Sequence, residues 1–422
     1  MDLRRRRLIY SSFFLVFFIM APLLVAFALG YRWDWSEQQI VKVGAVYIKS
    51  YPADAQIYKD DKLQRQRTPD QLINIQPGDN TITVVKENYQ SWSKTLEVKP
   101  GQTTFIENIL LFRNDLAPQK LTTDVQGWLL ADDLTKVLLL AGSGRLQQLD
   151  ANEQRLTDRG QLPPGSLLQA WSADLQGLLF QWQEEWYWQD LSSGQRVNLN
   201  ELAGLATTKA AFGSHSRQLF LLTGSSLRRL NLNDQSQIIV ARQVTDFVSD
   251  GQELDLLTSA GNLQRLTVDG QSLADTNFEL PASADLLELR SSWLLVRHLQ
   301  DIWLLRDGQL SQKVTAQGYD WRQDKLLLFN SYESWLFDLK EQALTLIDRS
   351  SLEQSLVAWH PSLSYYARRQ DGQLQLVELD NRGQKQHVIG VTTANLTNYA
   401  FDAKGEKLFF LQDDQLNYIQ LQ

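Results

Sequence analysis

The chain has 422 residues, with 41 Lys and Arg against 49 Asp and Glu, a formal net charge of -8, and no cysteine. This balance gives no basic field for a phosphate backbone, which argues against nucleic-acid binding. The absence of cysteine excludes disulfides, thiolate metal sites, cysteine nucleophiles and lipid-modified cysteines. The length exceeds one ordinary core and predicts several domains or a repeat architecture.

The first segment predicts a transmembrane helix over residues 8–31. This stretch is uncharged, and it follows four consecutive arginines, Arg4, Arg5, Arg6 and Arg7. As a helix it is about 36 Å long, enough to cross a hydrocarbon core of about 30 Å once. The arginines are a topology signal, because basic residues beside a span stay on the cytoplasmic side.

This topology predicts a cytoplasmic basic tail at residues 1–7, a lipid bilayer as partner of residues 8–31, and a juxtamembrane linker at residues 32–43. Tyr31, Trp33 and Trp35 stand where an interfacial aromatic belt is expected. The rest of the chain is then extracytoplasmic, on a single-pass protein of the cell membrane. The A-x-A pattern at residues 26–28 leaves cleavage as a signal peptide open, although the apolar run is longer than the usual signal core.

Residues 44–113 predict a small β-sandwich. Short segments rich in β-branched residues alternate with Pro and Gly turns. The predicted strands are residues 46–50, 56–58, 81–85, 95–98 and 104–110.

The turn residues of this segment resemble the signature of the PEGA domain, a module of bacterial and archaeal surface and envelope proteins. The positions that carry the resemblance are Ser50, Pro52, Ala55, Thr68, Pro69, Pro77, Gly78, Tyr89, Trp92 and Gly101. Asp54, Asp61, Gln66 and Asn88 replace glycines of the family, and Asp and Asn tolerate positive φ better than Gln does. The resemblance implies an interaction or spacer module without catalytic residues.

Residues 114–422 contain an internal repeat that predicts an eight-bladed β-propeller, with seven blades as the alternative. An apolar anchor ends a short strand in each unit and is followed by a very apolar strand. The anchors are Trp128, Trp171, Phe212, Phe247, Leu289, Trp321, Trp359 and Phe401. The unit at Leu289 is the least regular. The last unit is one strand short, and residues 119–123 are predicted to supply the missing strand. The region resembles the propellers that follow PEGA domains in membrane-anchored envelope proteins.

Little in the sequence predicts catalysis. The four histidines, His215, His298, His360 and His387, lie in different units without metal-ligand spacing. The sequence predicts no catalytic residue, no cofactor and no metal. The exception to weigh is the hairpin around Glu184 and Glu185, which Trp182 and Trp186 flank. Aromatic rings beside carboxylates can stack on sugars and bind hydroxyls, so these four residues are candidate ligand contacts. Packing between blades is the alternative explanation of the two tryptophans.

Three functional classes remain open. The best fit is a membrane-anchored extracytoplasmic binding or scaffold protein of the cell envelope, whose propeller contacts an envelope protein or polysaccharide. The alternative is an envelope glycoside hydrolase or lyase with the propeller as its catalytic domain. A ligand sensor fits least, because the cytoplasmic part offers no output domain.

Overall fold

The computed structural model describes residues 3–34, 38–281, 283–383, 387–392 and 395–422. The chain divides into two compact units. The first contains residues 1–116, 377–388 and 421–422, and the second contains residues 117–376 and 389–420.

Helix α1 (Leu3–Ala28) begins the first unit. Its segment Tyr10–Ala28 has a mean hydropathy of 2.4, and none of it is buried against the rest of the described protein. The arginine run lies within this helix. Beyond its end, Arg32 donates from Nη1 to the carbonyl of Phe27 at 2.7 Å and lies 3.6 Å from that ring.

The predicted linker at residues 32–43 is partly ordered as a hairpin. Strands β1 (Tyr31–Asp34) and β2 (Gln39–Lys42) pair antiparallel, with Trp33 opposite Ile40. Trp35 lies outside the described residues. The sequence did not predict these two strands, because neither carries a strong pattern alone. The assignment of residues 32–43 as a linker stays a prediction.

Two sheets form a β-sandwich after this hairpin. One has the order β6–β3–β9, with β3 and β9 parallel, and the other has the order β5–β4–β7–β8. Their inner faces enclose a single core that includes Val46, Ile57, Ile82, Trp92 and Ile106. The strands are β3 (Gly44–Tyr51), β4 (Gln56–Lys59), β5 (Lys62–Arg67), β6 (Asp70–Ile75), β7 (Gly78–Val85), β8 (Trp92–Val98) and β9 (Thr103–Leu110).

Three of the residues that replace family glycines take up positive φ. Asp54 has a φ of 60°, Asp61 of 61° and Asn88 of 68°, as expected for side chains that tolerate this region. Gln66 lies inside β5, so its position needs no turn. The turn expected at Gln66 is therefore a strand, in which glutamine needs no positive φ.

The second unit contains a β-propeller built from four-stranded sheets, of which the described residues form eight. Successive strands of each blade pair antiparallel, from the inner to the outer strand. A short helix, α2 (Leu199–Ala203), precedes the third blade. The strands are β10 (Gln119–Thr123), β11 (Val125–Leu130), β12 (Lys136–Ala141), β13 (Arg145–Asp150), β14 (Arg155–Gln161), β15 (Leu167–Trp171), β16 (Gly177–Trp182), β17 (Glu185–Asp190), β18 (Arg196–Asn198), β19 (Thr207–Phe212), β20 (Gln218–Thr223), β21 (Ser226–Asn231), β22 (Ser236–Arg242), β23 (Val244–Ser249), β24 (Glu253–Thr258), β25 (Asn262–Thr267), β26 (Ser272–Glu279), β27 (Asp285–Arg290), β28 (Trp293–His298), β29 (Asp301–Arg306), β30 (Gln309–Thr315), β31 (Gly318–Arg322), β32 (Lys325–Phe329), β33 (Glu333–Asp338), β34 (Ala343–Arg349), β35 (Gln354–Trp359), β36 (Tyr365–Gln370), β37 (Gln373–Glu378), β38 (His387–Thr392), β39 (Leu396–Phe401), β40 (Lys407–Gln412) and β41 (Gln415–Gln420).

Neighbouring blades bury each other's apolar faces. Leu138 and Leu146 of the first blade share a core with Leu178 and Phe180 of the second. The same arrangement recurs between later blades. The second strand of each blade has neighbours on both faces, and this explains its nearly continuous apolar sequence. The unit at Leu289 forms a four-stranded sheet like the others, with Leu289 buried where other blades have an aromatic ring.

The ring closes between the two ends of this unit. Strand β10 pairs antiparallel with β41, from Gln119 opposite Tyr418 to Thr123 opposite Gln415. It thereby becomes the outer strand of the last blade. Leu121 packs against the core that the first and last blades share.

Candidate functional site

The predicted ligand contacts lie at the tip of the hairpin between β16 and β17. Trp182 pairs with Glu185 across the hairpin. Gln183 and Glu184 form the turn, with φ values of 50° and 66°. Positive φ at both central residues is typical of a tight two-residue hairpin turn. The turn leaves Glu184 exposed at the tip.

The two tryptophans of this hairpin pack in different places. Trp186 is only 6% exposed and lies in the core between the second and third blades. Trp182 is half-buried beside Tyr187, at 6.0 Å between ring centroids, in the core between the first and second blades. Glu185 lies opposite Trp182 and shares its face of the sheet. Trp186 is the next residue after Glu185, and because side chains alternate along a strand, its ring lies on the other face. The structure therefore does not bring Trp182 and Trp186 together on one ligand surface.

Glu185 has partners inside its own blade. Its Oε2 accepts hydrogen bonds from the Tyr187 hydroxyl at 3.0 Å and from Asn198 Nδ2 at 2.9 Å. Asn198 also caps α2, accepting from the backbone N–H groups of Asn200 and Glu201. Burial, together with the neighbouring Glu185, raises the pKa of Tyr187. Glu185 thus connects the third and fourth strands of the second blade.

A polar cavity of about 380 Å³ lies over the central channel. Its lining comes from the first, fifth and sixth blades, and since these are not all neighbours, the cavity spans the ring. Glu288 and Asp320 face it, each paired with an arginine two residues later on its own strand. The distances are 2.5 Å from Glu288 to Arg290 and 3.2 Å from Asp320 to Arg322.

Burial changes the pKa values of two side chains that line this cavity. It raises the pKa of Glu288, and Arg290 opposes that change. The neighbouring Tyr319 also has a raised pKa, first because of burial and then because of the charge of Glu288. The cavity therefore contains a carboxyl group that takes up a proton more readily than an exposed glutamate does, although Arg290 opposes the change.

These channel carboxylates also join neighbouring blades. Asp246 accepts from the backbone N–H of Leu286 at 2.8 Å, and Asp320 accepts from that of Trp359 at 2.8 Å. Asp246, Glu288 and Asp320 are not among the contacts predicted from the sequence. The sequence nevertheless carries a signal, because each of these three carboxylates directly precedes the apolar anchor of its repeat, and the three repeats are successive.

A second cavity, of about 520 Å³, lies between the fourth and fifth blades. Asp255 is fully buried there and accepts from Arg265 Nε and Nη2, both at 2.7 Å. Burial raises the pKa of Asp255 against the effect of this arginine. Within the described part of the chain, no group of three or more His, Asp or Glu residues is placed to hold a metal ion.

The signature residues of the small sandwich form a buried hydrogen-bonded cluster. The hydroxyls of Ser50 and Thr68 lie 2.6 Å apart, and the backbone N–H of Ala55 donates to Thr68 Oγ1 at 3.0 Å. Ser50 also lies 2.9 Å from the carbonyl of Pro52. This cluster fixes the loop between β3 and β4, so these residues hold the fold of the domain.

Comparison with known proteins agrees with this architecture. Residues 43–110 match the PEGA domain family. Among solved structures, the chain is similar to the C-terminal WD40 domain of Sif2, with 11% identity, a TM-score of 0.51, and coverage of 73% of this chain and 99% of that one. It is also similar to BamB from Moraxella catarrhalis, with 12% identity, a TM-score of 0.47, and coverage of 73% and 99%.

A comparison with curated proteins gives no match. At 11% identity the Sif2 domain shows the propeller fold alone. The chain thus contains a PEGA-like domain followed by a β-propeller.

Proposed function

We propose that this protein is a membrane-anchored binding or scaffold protein of the cell envelope. Its propeller is presented outside the cytoplasm to a protein or polysaccharide partner. The observation that carries the proposal is the apolar segment Tyr10–Ala28, whose side chains are not covered by the rest of the described protein. In water this surface would be costly, and a bilayer is the environment that offsets the cost.

The orientation rests on charge. Arg4, Arg5, Arg6 and Arg7 precede the apolar segment, and basic residues favour the cytoplasmic side. The β units then lie on the other side of the membrane. The PEGA resemblance supports this side, because the family occurs in surface and envelope proteins.

Binding is favoured over catalysis by the ion pairs that the cavity carboxylates form. Glu288, Asp320 and Asp255 are each held by an arginine at 3.2 Å or less. A glycoside hydrolase needs one carboxylic acid that donates a proton and one carboxylate that acts as base or nucleophile. Burial raises the pKa of Glu288 and of Asp255, as the acid requires. Each of these carboxylates is nevertheless held in an ion pair by an arginine of its own blade, and this pairing competes with contact to a glycosidic oxygen.

The hairpin tip remains a proposed ligand contact, with only two of the four candidate residues in direct reach of a ligand. Trp182 is half-buried and Glu184 is exposed, so a ligand can reach both. Trp186 and Glu185 would support them from within the blade.

The test is affinity purification of the tagged full chain from solubilised membranes, together with binding of the purified chain to isolated envelope polysaccharide. We expect a specific co-purifying protein or retained polysaccharide, compared with an unrelated single-pass protein as control. The length distribution of the polysaccharide should not change. Shortening of the polysaccharide that Glu288→Gln abolishes would overturn the binding proposal and favour the glycoside hydrolase or lyase.

A further inference from the structure

The hairpin of β1 and β2 stands between the end of helix α1 and the β-sandwich. Among the described residues, these two strands pair only with each other and join neither sheet of the sandwich. A single two-stranded hairpin is marginally stable in water. The hairpin therefore needs cover from another surface, and its side chains indicate which one.

The register of the hairpin divides its side chains between two faces. Trp33 lies opposite Ile40, and Tyr31 lies opposite Lys42. Because side chains alternate along a strand, these four residues share one face. We call it the aromatic face. The other face carries Arg32, Asp34, Gln39 and Val41.

The aromatic face is the uncovered one. Tyr31 is 41% exposed, Trp33 is 50% exposed and Ile40 is 66% exposed. On the other face, Asp34 is buried and Arg32 is half-buried. A hairpin in water would be expected to cover its apolar face and expose its charged one, because apolar surface is costly to hydrate. The arrangement is the reverse here, as expected for a face that contacts something other than water.

Backbone hydrogen bonds hold the hairpin at the end of the apolar helix. Only Leu29 and Gly30 separate α1 from β1. The N–H of Val43, just after β2, donates to the carbonyl of Gly30 at 2.9 Å. The carbonyl of Val43 in turn accepts from the N–H of Gly101, in the turn between β8 and β9, at 3.1 Å. The helix end, the hairpin and the sandwich are therefore joined directly.

This junction determines the height of the hairpin in a membrane. The segment Tyr10–Ala28 has 19 residues. As a helix it is about 28 Å long, which matches a hydrocarbon core of about 30 Å. If the segment spans the bilayer, the residues directly after it lie in the headgroup layer.

The composition of the aromatic face fits that layer. Tyrosine and tryptophan favour it because each combines an apolar ring with a polar group. Ile40 adds apolar area on the same side. A lysine such as Lys42 can lay its carbon chain along apolar surface and keep its ammonium group among the lipid phosphates.

We infer that the aromatic face lies in the headgroup layer of the same bilayer that α1 spans. It is a second membrane contact, and through the Val43 junction it fixes the direction in which the β-sandwich leaves the membrane. This goes beyond the aromatic belt predicted from the sequence, because it includes Ile40 and Lys42 and excludes the opposite face. The inference rests on the proposed membrane anchor.

The test uses single cysteines labelled with a nitroxide, since the chain has no cysteine of its own. Ile40→Cys reports the aromatic face, and Gln39→Cys is the matched exposed position on the other face, one residue away. Phe18→Cys reports the span, and the exposed Asn152→Cys of the propeller reports water. Each full-length variant is placed in nanodiscs of phosphatidylcholine and phosphatidylglycerol.

Power saturation of the electron paramagnetic resonance spectrum measures collisions of each label with oxygen and with a water-soluble nickel chelate. Oxygen concentrates in lipid, whereas the chelate stays in water. We expect the oxygen-to-nickel ratio at Ile40 to be severalfold higher than at Gln39 and lower than at Phe18. The ratio at Gln39 should match that at Asn152. Unchanged thermal unfolding of the four labelled variants would exclude a folding defect.

Each other outcome counts against a distinct statement. Water-like ratios at Ile40 and Gln39, with a lipid-like ratio at Phe18, would overturn the inference and leave the membrane anchor standing. A water-like ratio at Phe18 would overturn the anchor itself. A lipid-like ratio at Gln39 would overturn the assignment of the face. Few collisions with either reagent at Ile40 would place this side chain against protein and would also overturn the inference.

Discussion

Closure of the ring by β10 gives the sharpest prediction about stability. We would replace residues 119–123 by Gly-Pro-Gly-Pro-Gly, which keeps the chain length. Proline removes a backbone N–H and glycine removes the side chain, so the segment could no longer pair with β41. Four residue pairs join the two strands, and the half-buried Leu121 packs against the core beside them.

The expected loss follows from these contacts. Backbone hydrogen bonds contribute about 1 kcal/mol each after solvent exchange. The apolar surface of Leu121 adds about 1 kcal/mol. Release of five ordered residues offsets part of this sum. We expect the free energy of unfolding to fall by about 3–5 kcal/mol, with aggregation through the unpaired edge of β41.

The assay is urea unfolding followed by the fluorescence of the 13 tryptophans. The control places the same replacement in residues 156–160 of β14, an outer strand that closes nothing. That variant breaks the same number of residue pairs, four, and also removes a leucine that packs against the core. It should nevertheless lose less, because its ring stays closed and its blade stays covalently connected to neighbours on both sides. A closure variant that unfolds at the midpoint of the unaltered chain would refute the reasoning. An equal loss in both variants would show that closure adds nothing to an ordinary outer strand.

Three further predictions follow from particular environments. Trp186→Ala should lower the free energy of unfolding by about 3–5 kcal/mol, because its ring is buried between blades, whereas Trp182→Ala should cost less than half as much; equal losses in thermal unfolding would contradict their placement. Burial lowers the pKa of His360 from 6.5 to about 4, so between these two pH values His360 is protonated in the unfolded chain and neutral in the folded chain. The stability that His360 contributes is complete above pH 6.5 and is lost as the pH falls toward 4, by at most about 3 kcal/mol. Urea unfolding of His360→Asn across this range should lack that slope, and an unchanged slope would assign it to other groups. Protease added to right-side-out spheroplasts should digest both β units and leave a short membrane stub; full protection would reverse the proposed orientation, and a mature protein without its first 28 residues would remove the anchor.

Local patterns in the sequence determined much of the architecture. An uninterrupted apolar run predicts a helix able to span a membrane whatever surrounds it. The repeat of an anchor followed by an apolar strand predicts stacked sheets, because such strands need cover on both faces. Asp54, Asp61 and Asn88 were interpretable because positive φ is a property of single residues. Each of these inferences depends on neighbours along the chain.

Other features depend on partners distant in sequence. Alternation along β16 and β17 predicts that about half of their aromatic residues are buried, but only the packed blades decided that Trp186 lies in the core while Trp182 stays accessible. The parallel pairing of β3 with β9 and the hairpin of β1 with β2 depend on which strand edges meet. The sequence contains the channel carboxylates at equivalent repeat positions, yet only the closed ring directs Glu288 and Asp320 into one cavity.

The closure of the ring also belongs to the tertiary structure. Leu121 and Leu416 are 295 residues apart in the sequence, and nothing near either one predicts that they share a core. The sequence by itself determined the elements, because hydrophobic periodicity and turn chemistry act over a few residues. Only the assembled ring decided which residues lie side by side, because strands that are distant in sequence become neighbours when the blades pack together.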